Sequence, residues 1–302
     1  MVLGFDAVER YAGPHPHLGC VVGRVANRIA GASLPVAGRL VRLAANDPPH
    51  HLHGGPAGFG RRVWEAAPFA APGRRGVRFT RTSPHGEEGY PGTLHAAVEV
   101  ALEDAGGLRL ELSARCEAET VLSLSHHPYW NLCDAGESSV LDHELTLFAS
   151  RYTPMDARGI PSGEIAAVEG TPLDFRRPRR LGEAWHAVLA HGRGGFDHNL
   201  ALDGEPGALR PAARLRDPES GRVLEVWTTL PGLQLYTANG LDGSVVGRGG
   251  VAWARHAAVC LEPQLFPDAP HHPHFPSMVL APGDTWRHAI EYRLGVDVGG
   301  RR

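Results

Sequence analysis

Frequent interruption by glycine and proline is the feature that most restricts the fold of this chain. The 302 residues include 38 glycines and 25 prolines, spread along the whole length. Glycine accepts the positive φ angles of tight turns at little cost, and proline removes a backbone donor that a helix interior needs. This spacing disfavours long helices and favours short strands joined by many turns.

Alternating apolar and polar residues mark the strands between these turns. Residues 94–116 predict a hairpin, since Leu108, Leu110 and Leu112 alternate with polar neighbours after the turn "DAGG". Runs rich in aromatic and β-branched residues predict further strands. These runs are residues 76–82, 143–149, 223–230, 233–237 and 288–294.

Helical periodicity is convincing in only one segment, residues 179–190. There Leu181, Trp185 and either Val188 or Leu189 fall on one face of a helix. We therefore predict a short helix in this segment.

The chain shows neither an internal repeat nor a flexible linker that would divide it. We therefore predict one all-β domain over residues 1–302, built as a large β-sandwich with few short helices. The glycine-rich and arginine-rich tail, residues 296–302, is predicted to fray.

Charge, cysteines and hydropathy limit the possible functions. The formal charge is −3 and the pI is about 6.6, so we expect no nucleic-acid partner. The four cysteines form no CxxC pair, which argues against a zinc ribbon and a thioredoxin-like site. Four thiols in a chain of 302 residues are also not typical of a secreted disulfide scaffold. No apolar run is long enough to span a membrane, and the N-terminus has no export-signal pattern. We expect a cytoplasmic monomer or homodimer.

Two segments near the N-terminus could carry chemistry, one with an Asn-Arg pair and the other with three histidines. "GRVANRIAG" places Asn27 beside Arg28, a pair whose donors and acceptor suit a ligand covered in hydroxyls. The alternative, an arginine that binds backbone carbonyls, remains equally open. In "HHLHGG", His51 and His53 would share one face of a strand and could bind one metal ion. No carboxylate follows until Glu65, so a histidine that only forms hydrogen bonds is favoured.

Three further segments supply acids and bases. "SLSHHPYWNL" has adjacent histidines, and in a strand only one of them, for example His127, can face a site. "GGFDHNL" offers Asp197. "CLEPQ" offers Glu262 at the end of an apolar run, where burial would raise the pKa of the carboxyl and make it a stronger base. A structural carboxylate that accepts backbone N–H bonds remains the alternative for Glu262.

Taken in order, these segments resemble those of the aldose 1-epimerases, also called galactose mutarotases. The resemblance extends from Leu3 to about Leu294 and does not depend on any single motif. The matching segments are "LGFD", "GRVANRI", "HLHGG", "SPHGEEGYPG", "IPSGEI", "GTPLDFR", "FDHN", "YTAN", "LEPQ" and "PDAPHHPHFP". The resemblance implies a galactose mutarotase-like β-sandwich that interconverts the α and β anomers of a hexose such as glucose or galactose, without cofactor or metal.

The same resemblance implies roles for individual residues. His127 matches the general acid, expected to act as an imidazolium because an unperturbed histidine has a pKa of about 6.5, and Glu262 matches the general base. The residues that match sugar-binding positions are Asn27, Arg28, His53 and Asp197, with Gln264 and Trp64 as weaker candidates at the rim.

The chain departs from the family pattern in two respects. It begins at Met1, directly before "LGFD", so we expect it to lack the N-terminal strands of the family. Histidine also replaces the Asn or Asp of the family at His85, His126, His271 and His274, where it offers different hydrogen-bonding geometry.

Two alternatives to an epimerase remain at this stage. One is a sugar-binding or sugar-sensing module on the same fold that has lost turnover. The other is a metal-dependent, cupin-like sugar isomerase that uses the His-x-His pair.

Overall fold

The computed structural model describes residues 1–104, 106–189 and 193–297, and strands dominate these segments. In chain order the strands are β1 (Cys20–Val22), β2 (Arg28–Ile29), β3 (Ser33–Val36), β4 (Arg39–Arg42), β5 (His51–Leu52), β6 (Glu65–Ala71), β7 (Arg74–Ser83), β8 (Leu94–Glu103), β9 (Leu108–Cys116), β10 (Thr120–Val121), β11 (Ser125–His127), β12 (Glu144–Leu147), β13 (Arg151–Tyr152), β14 (Ala166–Ala167), β15 (Arg179–Arg180), β16 (Asp197–Ala201), β17 (Arg210–Arg216), β18 (Arg222–Thr228), β19 (Gly232–Tyr236), β20 (Cys260–Gln264), β21 (Val279–Leu280) and β22 (Trp286–Val296). The prediction of an all-β structure is confirmed.

Helical structure within the described segments is short. The α-helix α1 spans Trp185–Leu189, and no described helix is long and apolar enough to cross a membrane. Single 3-10 turns are found at Val8–Ala12, Ala30–Ala32, Phe59–Arg61, Glu87–Gly89, Val140–Asp142, Leu181–Ala184, Arg248–Gly250 and Ala269–His271.

The predicted helix over residues 179–190 is present only in part. Its first two residues form strand β15, and a 3-10 turn precedes α1. Leu181 and Val188 are buried as the periodicity predicts, whereas Leu189 is exposed. Ala190 lies outside the described residues.

Two antiparallel sheets form most of the structure. A nine-stranded sheet has the order β15-β12-β17-β18-β22-β9-β8-β7-β6, and a five-stranded sheet has the order β14-β13-β16-β19-β20. The predicted hairpin is β8–β9, with Leu94 opposite Cys116. Each of the other predicted runs overlaps a strand, although the runs 143–149, 223–230 and 233–237 extend past the ends of β12, β18 and β19. Leu110 and Leu112 are almost fully buried, because strand alternation directs them to the core.

One large hydrophobic cluster joins the two sheets. It includes Leu112 and Leu224 of the nine-stranded sheet together with Leu200, Leu233 and Leu261 of the five-stranded sheet, all fully buried. The shared core makes the assembly a large β-sandwich, as predicted. A smaller apolar cluster that includes Tyr129 and Cys260 lies beside the five-stranded sheet.

Val296 and Asp297, the two described residues of the tail that was predicted to fray, are both held by backbone contacts. Val296 is still paired with Arg222 between β22 and β18. The N–H of Asp297 donates to the carbonyl of Gly221 at 2.7 Å, and its carboxylate accepts from Arg214 at 3.0 Å. Residues 298–302 lie outside the described part of the chain.

Arg24 is a buried arginine that links two parts of the chain by hydrogen bonds, and the sequence analysis does not single it out. It is 2% exposed, and burial lowers its pKa to about 10. Its guanidinium donates to the carbonyl oxygens of Ser83, Pro84, Pro91 and Gly92, each at 2.8–2.9 Å. Because these carbonyls belong to one loop, a single side chain fixes that loop against the start of the chain segment that carries Asn27.

We expect Arg24→Leu to lower the free energy of unfolding by about 3 kcal/mol or more, since it leaves several buried carbonyls without donors. Urea denaturation measures this change. The matched control is Arg78→Leu on β7, where the side chain is 54% exposed and a change within about 0.5 kcal/mol is expected. Equal effects of the two substitutions would contradict the role of Arg24.

Candidate active site

A cleft of about 390 Å³ opens beside the five-stranded sheet. Its volume is in the range of small-molecule sites. The lining residues are Pro16, His17, Asn27, Arg28, Leu52, His53, His127, Tyr129, Arg193, Asp197, Gln234, Tyr236, Asn239, Gly240 and Glu262. The cleft therefore brings together six of the eight residues singled out from the sequence, which lie far apart in the chain.

His127 and Glu262 face each other at the floor of this cleft. His127 ends β11, which pairs with β1, and Glu262 lies in the middle of β20. The distance from His127 Nε2 to Glu262 Oε1 is 3.6 Å, and the two residues are 4% and 2% exposed. The ring of Tyr129 stacks on the imidazole with 5.0 Å between centroids, which fixes its plane. A possible acid and a possible base thus lie within reach of one bound molecule.

Burial determines whether His127 or Glu262 carries the proton that the two side chains share. Removal from water, together with a smaller effect of the neighbouring His17, lowers the pKa of His127 to about 3. Removal from water also raises the pKa of Glu262 well above 4.5, and the charge of Asp197 adds to that shift. In the free site the carboxyl, rather than the imidazole, therefore holds the proton. The imidazolium expected from the ordinary histidine pKa is not favoured, because burial penalises its charge.

Asp197 begins β16 and is held on both oxygens. Arg193 Nε donates to Oδ2 at 2.9 Å, and Gln234 Nε2 donates to Oδ1 at 2.7 Å. Arg193 also donates to the carbonyl of Ala157, so it joins this carboxylate to a neighbouring loop. These charge-assisted contacts fix the carboxylate in position for a hydroxyl donor in the cleft.

Gln264 lies beneath the cleft rather than at its rim. It is 1% exposed, and its Nε2 donates to Gln234 Oε1 at 3.2 Å and to Asn199 Oδ1 at 3.1 Å. Strand alternation explains this position, since Gln264 follows Glu262 by two residues and shares its face of β20. The side chain supports Gln234, which in turn supports the cleft carboxylate.

Asn27, Arg28 and His53 form one connected corner of the cleft. The backbone N–H of Asn27 donates to Nδ1 of His53 at 3.1 Å, and the N–H of His53 donates to the carbonyl of Asn27 at 3.0 Å. Arg28 Nε donates to Asp47 at 2.7 Å. Since His53 Nδ1 accepts a hydrogen bond, the proton of the neutral ring must be on Nε2. Burial lowers the pKa of His53 well below 6.5, which keeps the ring neutral.

The glycines of "HHLHGG" are explained by close backbone contact. Gly54 has φ +82°, and a Cβ there would lie 1.7 Å from the carbonyl oxygen of Gly23. Only glycine permits this approach, which brings the loop that carries His53 against the segment that carries Asn27.

The two histidines of the His-x-His pair do not converge on a metal position. His51 Nδ1 is 2.7 Å from the carbonyl of Ala44, and its Nε2 is 2.6 Å from the hydroxyl of Tyr90. Both ring nitrogens are therefore engaged away from the cleft, and the geometry does not support the metal-dependent alternative at this pair. A different donor set exists at the cleft floor, where His127, Cys260 and Glu262 each place a ligand atom within 4.8 Å of the others.

The four histidines that depart from the family pattern all have hydrogen-bonding partners. His85 accepts from the N–H of Gly92, and His126 contacts the hydroxyl of Tyr292. His271 contacts the carboxylate of Asp268, and His274 contacts a backbone carbonyl. None of the four lines the cleft, so these replacements alter its surroundings and not its wall.

Trp64 lies outside the cleft, contrary to its assignment to the rim. Its indole packs edge-on against Phe59, with 5.4 Å between centroids, and donates to the carbonyl of Phe59 at 3.1 Å. Arg193, His17 and Tyr236 line the cleft but were not predicted as site residues. The signal for Tyr236 was present, since it stands in the quoted segment "YTAN". Arg193 and His17 have no such signal, because only the fold brings them to the cleft.

Comparisons with known proteins agree with this geometry. The sequence model described as aldose 1-epimerase matches residues 1–293. A galactose mutarotase from Bos taurus is 43% identical over 98% of this chain and 84% of its own length. An aldose 1-epimerase from Escherichia coli is 32% identical over 97% of this chain and 84% of its own length.

Solved structures show the same fold. An aldose epimerase homologue from C. elegans superimposes with a TM-score of 0.88 at 31% identity, over 98% of this chain and 87% of its own. A galactose 1-epimerase from Lactobacillus acidophilus gives a TM-score of 0.86 at 27% identity, over 98% and 85% of the two chains.

The hydrogen bond from Asn27 predicts one tautomer of His53. In ¹⁵N-labelled protein, we expect neutral His53 with its proton on Nε2 throughout about pH 5–8, because burial lowers its pKa. His53→Gln assigns the signal by removing it. A proton on Nδ1, or titration with a midpoint near the ordinary value, would contradict the arrangement of this corner.

Proposed function

Because the chain belongs to the aldose 1-epimerase family, we propose that it is an isomerase that interconverts the α and β anomers of a hexose such as glucose or galactose. The observation that carries the proposal is the contact between His127 Nε2 and Glu262 Oε1, 3.6 Å apart at the floor of a hexose-sized cleft. O1 and the ring oxygen of a pyranose are bonded to the same carbon, so their acid and base must be close neighbours.

The reaction requires two proton transfers. Glu262, as a carboxylate, takes the proton from the O1 hydroxyl while His127, as an imidazolium, gives a proton to the ring oxygen. The bond between C1 and the ring oxygen breaks, and C1 becomes an aldehyde. Rotation about the C1–C2 bond presents the other face, and the reverse transfers close the ring. The pair holds one proton in total before and after each half of the reaction.

The protonation state favoured by burial is the one that follows ring opening. Once the ring is open, the carboxyl of Glu262 is protonated and His127 is neutral. This uncharged form is the one that the dry cleft floor stabilises, because burial raises one pKa and lowers the other. Desolvation of the charged pair therefore drives the proton transfers in the direction of ring opening.

The remaining cleft residues would hold the sugar while C1 rotates. Asp197 offers a carboxylate fixed by two donors, Arg28 offers a guanidinium, and His53 offers an Nε2–H donor. Asn27 positions His53 through its backbone N–H. Gln264 does not line the cleft, but its hydrogen bond to Gln234 positions the amide that holds Asp197.

The sugar-binding module is the alternative that the assays below separate from an epimerase. The sugar-binding module would bind the sugar without accelerating its mutarotation.

Cytoplasmic location and a monomeric or homodimeric state stay predictions, and the rim role of Trp64 is not retained.

The first test is polarimetry on freshly dissolved α-D-glucose and α-D-galactose. We expect acceleration by the parent protein and a loss of about 10²–10⁴-fold in kcat for either Glu262→Gln or His127→Asn, because each removes one proton-transfer group. The matched controls are His95→Asn and Glu117→Gln, which alter an exposed His–Glu pair 3.1 Å apart and should leave the rate unchanged. A folded parent that binds sugar without acceleration would establish the binding module instead.

The second test is the pH profile of kcat/KM, corrected for the buffer reaction. Since burial lowers the pKa of His127 to about 3, the pair gains a second proton only near that pH. The rate should therefore not fall between about pH 6 and about pH 4. It should fall on the alkaline side, as the raised pKa of Glu262 is passed and the last proton leaves. A rise with pH through 4.5, in protein that circular dichroism shows to be folded, would contradict this assignment.

A further inference from the structure

Three different ligand types meet at the floor of the cleft. A ring nitrogen of His127, the thiol of Cys260 and a carboxylate oxygen of Glu262 all lie within 4.8 Å of one another. The three residues are 4%, 0% and 2% exposed. The proposed reaction uses the imidazole and the carboxyl but gives the thiol no role.

The fold places these groups together without local distortion. Cys260 and Glu262 are two residues apart on β20, so they share one face of the strand. Strand β11 packs against β20 and brings His127 to that face. The thiol does not line the cleft, so it lies behind the acid–base pair, and Tyr236 is its partner in β19.

The donor set matches one class of metal ion. Nitrogen, sulfur and oxygen donors together suit zinc and its heavier analogue cadmium, whereas magnesium and calcium prefer oxygen alone. Tetrahedral zinc, with bonds of about 2.0–2.3 Å, needs ligand atoms roughly 3.3–3.8 Å apart. The separation of 3.6 Å between His127 Nε2 and Glu262 Oε1 already fits. The separations from the thiol, which are within 4.8 Å, need a contraction of at most about 1 Å.

These donors are also not consumed by other contacts. Nε2 of His127 faces Glu262 Oε1 at 3.6 Å, which is beyond hydrogen-bond distance and leaves this nitrogen available to a cation. Within residues 1–104, 106–189 and 193–297, no hydrogen bond to the carboxylate of Glu262 is found. A cation would therefore displace few existing interactions.

We propose that zinc-class cations bind at His127, Cys260 and Glu262 and inhibit the enzyme. Binding releases the thiol proton and the carboxyl proton to solvent and takes up the imidazole lone pair, so neither proton transfer can occur. Three protein ligands leave the fourth position open towards the cleft, where water or a sugar hydroxyl completes the coordination. The inhibitory outcome depends on the proposed function, whereas binding itself does not.

Binding is tested first, on metal-free protein titrated with Cd²⁺. We expect one strong site per chain and the ultraviolet charge-transfer band of a cadmium–thiolate bond. Cys260→Ala should abolish the band and weaken cadmium binding by at least about 10-fold. Loss of a residue that only hydrogen-bonds to a metal ligand already weakens metal affinity by about that factor, and loss of a ligand should cost no less. Cys260→Ser repeats the test with a side chain of nearly unchanged size, in case the alanine variant does not fold. The matched control is Cys116→Ala, another buried free cysteine, which should keep the band.

Inhibition is then measured by polarimetry with Zn²⁺, each variant compared with its own metal-free rate. We expect at least a tenfold loss of rate in the parent, reversed by chelator, and a matching loss of sensitivity in the Cys260 variants. The double variant His271→Ala/His274→Ala removes two exposed histidines and should remain sensitive. An unchanged cadmium band in folded Cys260 variants, or activation by zinc, would overturn the proposal. A parent that shows the band but no mutarotation would instead disprove the proposed function.

Discussion

The exclusion of water from one histidine–glutamate contact is the constraint on which the site depends. His127 and Glu262 are almost fully buried, yet both reach the floor of an open cleft. In water their ordinary pKa values would make them an ion pair, and burial reverses that preference by penalising both charges. The pair can remain uncharged because it needs only one proton, and that proton can reside on either partner.

A second requirement is that the groups around the pair stay fixed while the sugar changes shape. The structure meets it through chains of hydrogen bonds rather than through single contacts. Gln264 supports Gln234, which supports Asp197, and each link is buried or half-buried. Asn27 and His53 hold each other through backbone and ring nitrogen. Polar groups that are linked in this way limit one another's movement, and positioning requires that rigidity.

The sequence predicted the fold well because strand alternation is a local property. The β8–β9 hairpin could be read from consecutive leucines, and the chemistry of His127 and Glu262 from their residue types and from the family resemblance. Arg193 could not be found, because its contact with the cleft arises from long-range packing. The position of Trp64 outside the cleft and the uncharged state of the pair also depend on burial, which a linear motif does not contain.

A site built for proton transfer in a dry environment shares its physical requirements with a metal site. Both need lone pairs a few ångströms apart, held rigidly and shielded from water. A binding module would need neither a carboxyl nor an imidazole in this state, whereas an acid–base site cannot avoid presenting them. The thiol of Cys260 converts this two-donor arrangement into a three-donor one. Burial raises the pKa of that thiol, so its proton opposes the cation and makes occupancy increase with pH.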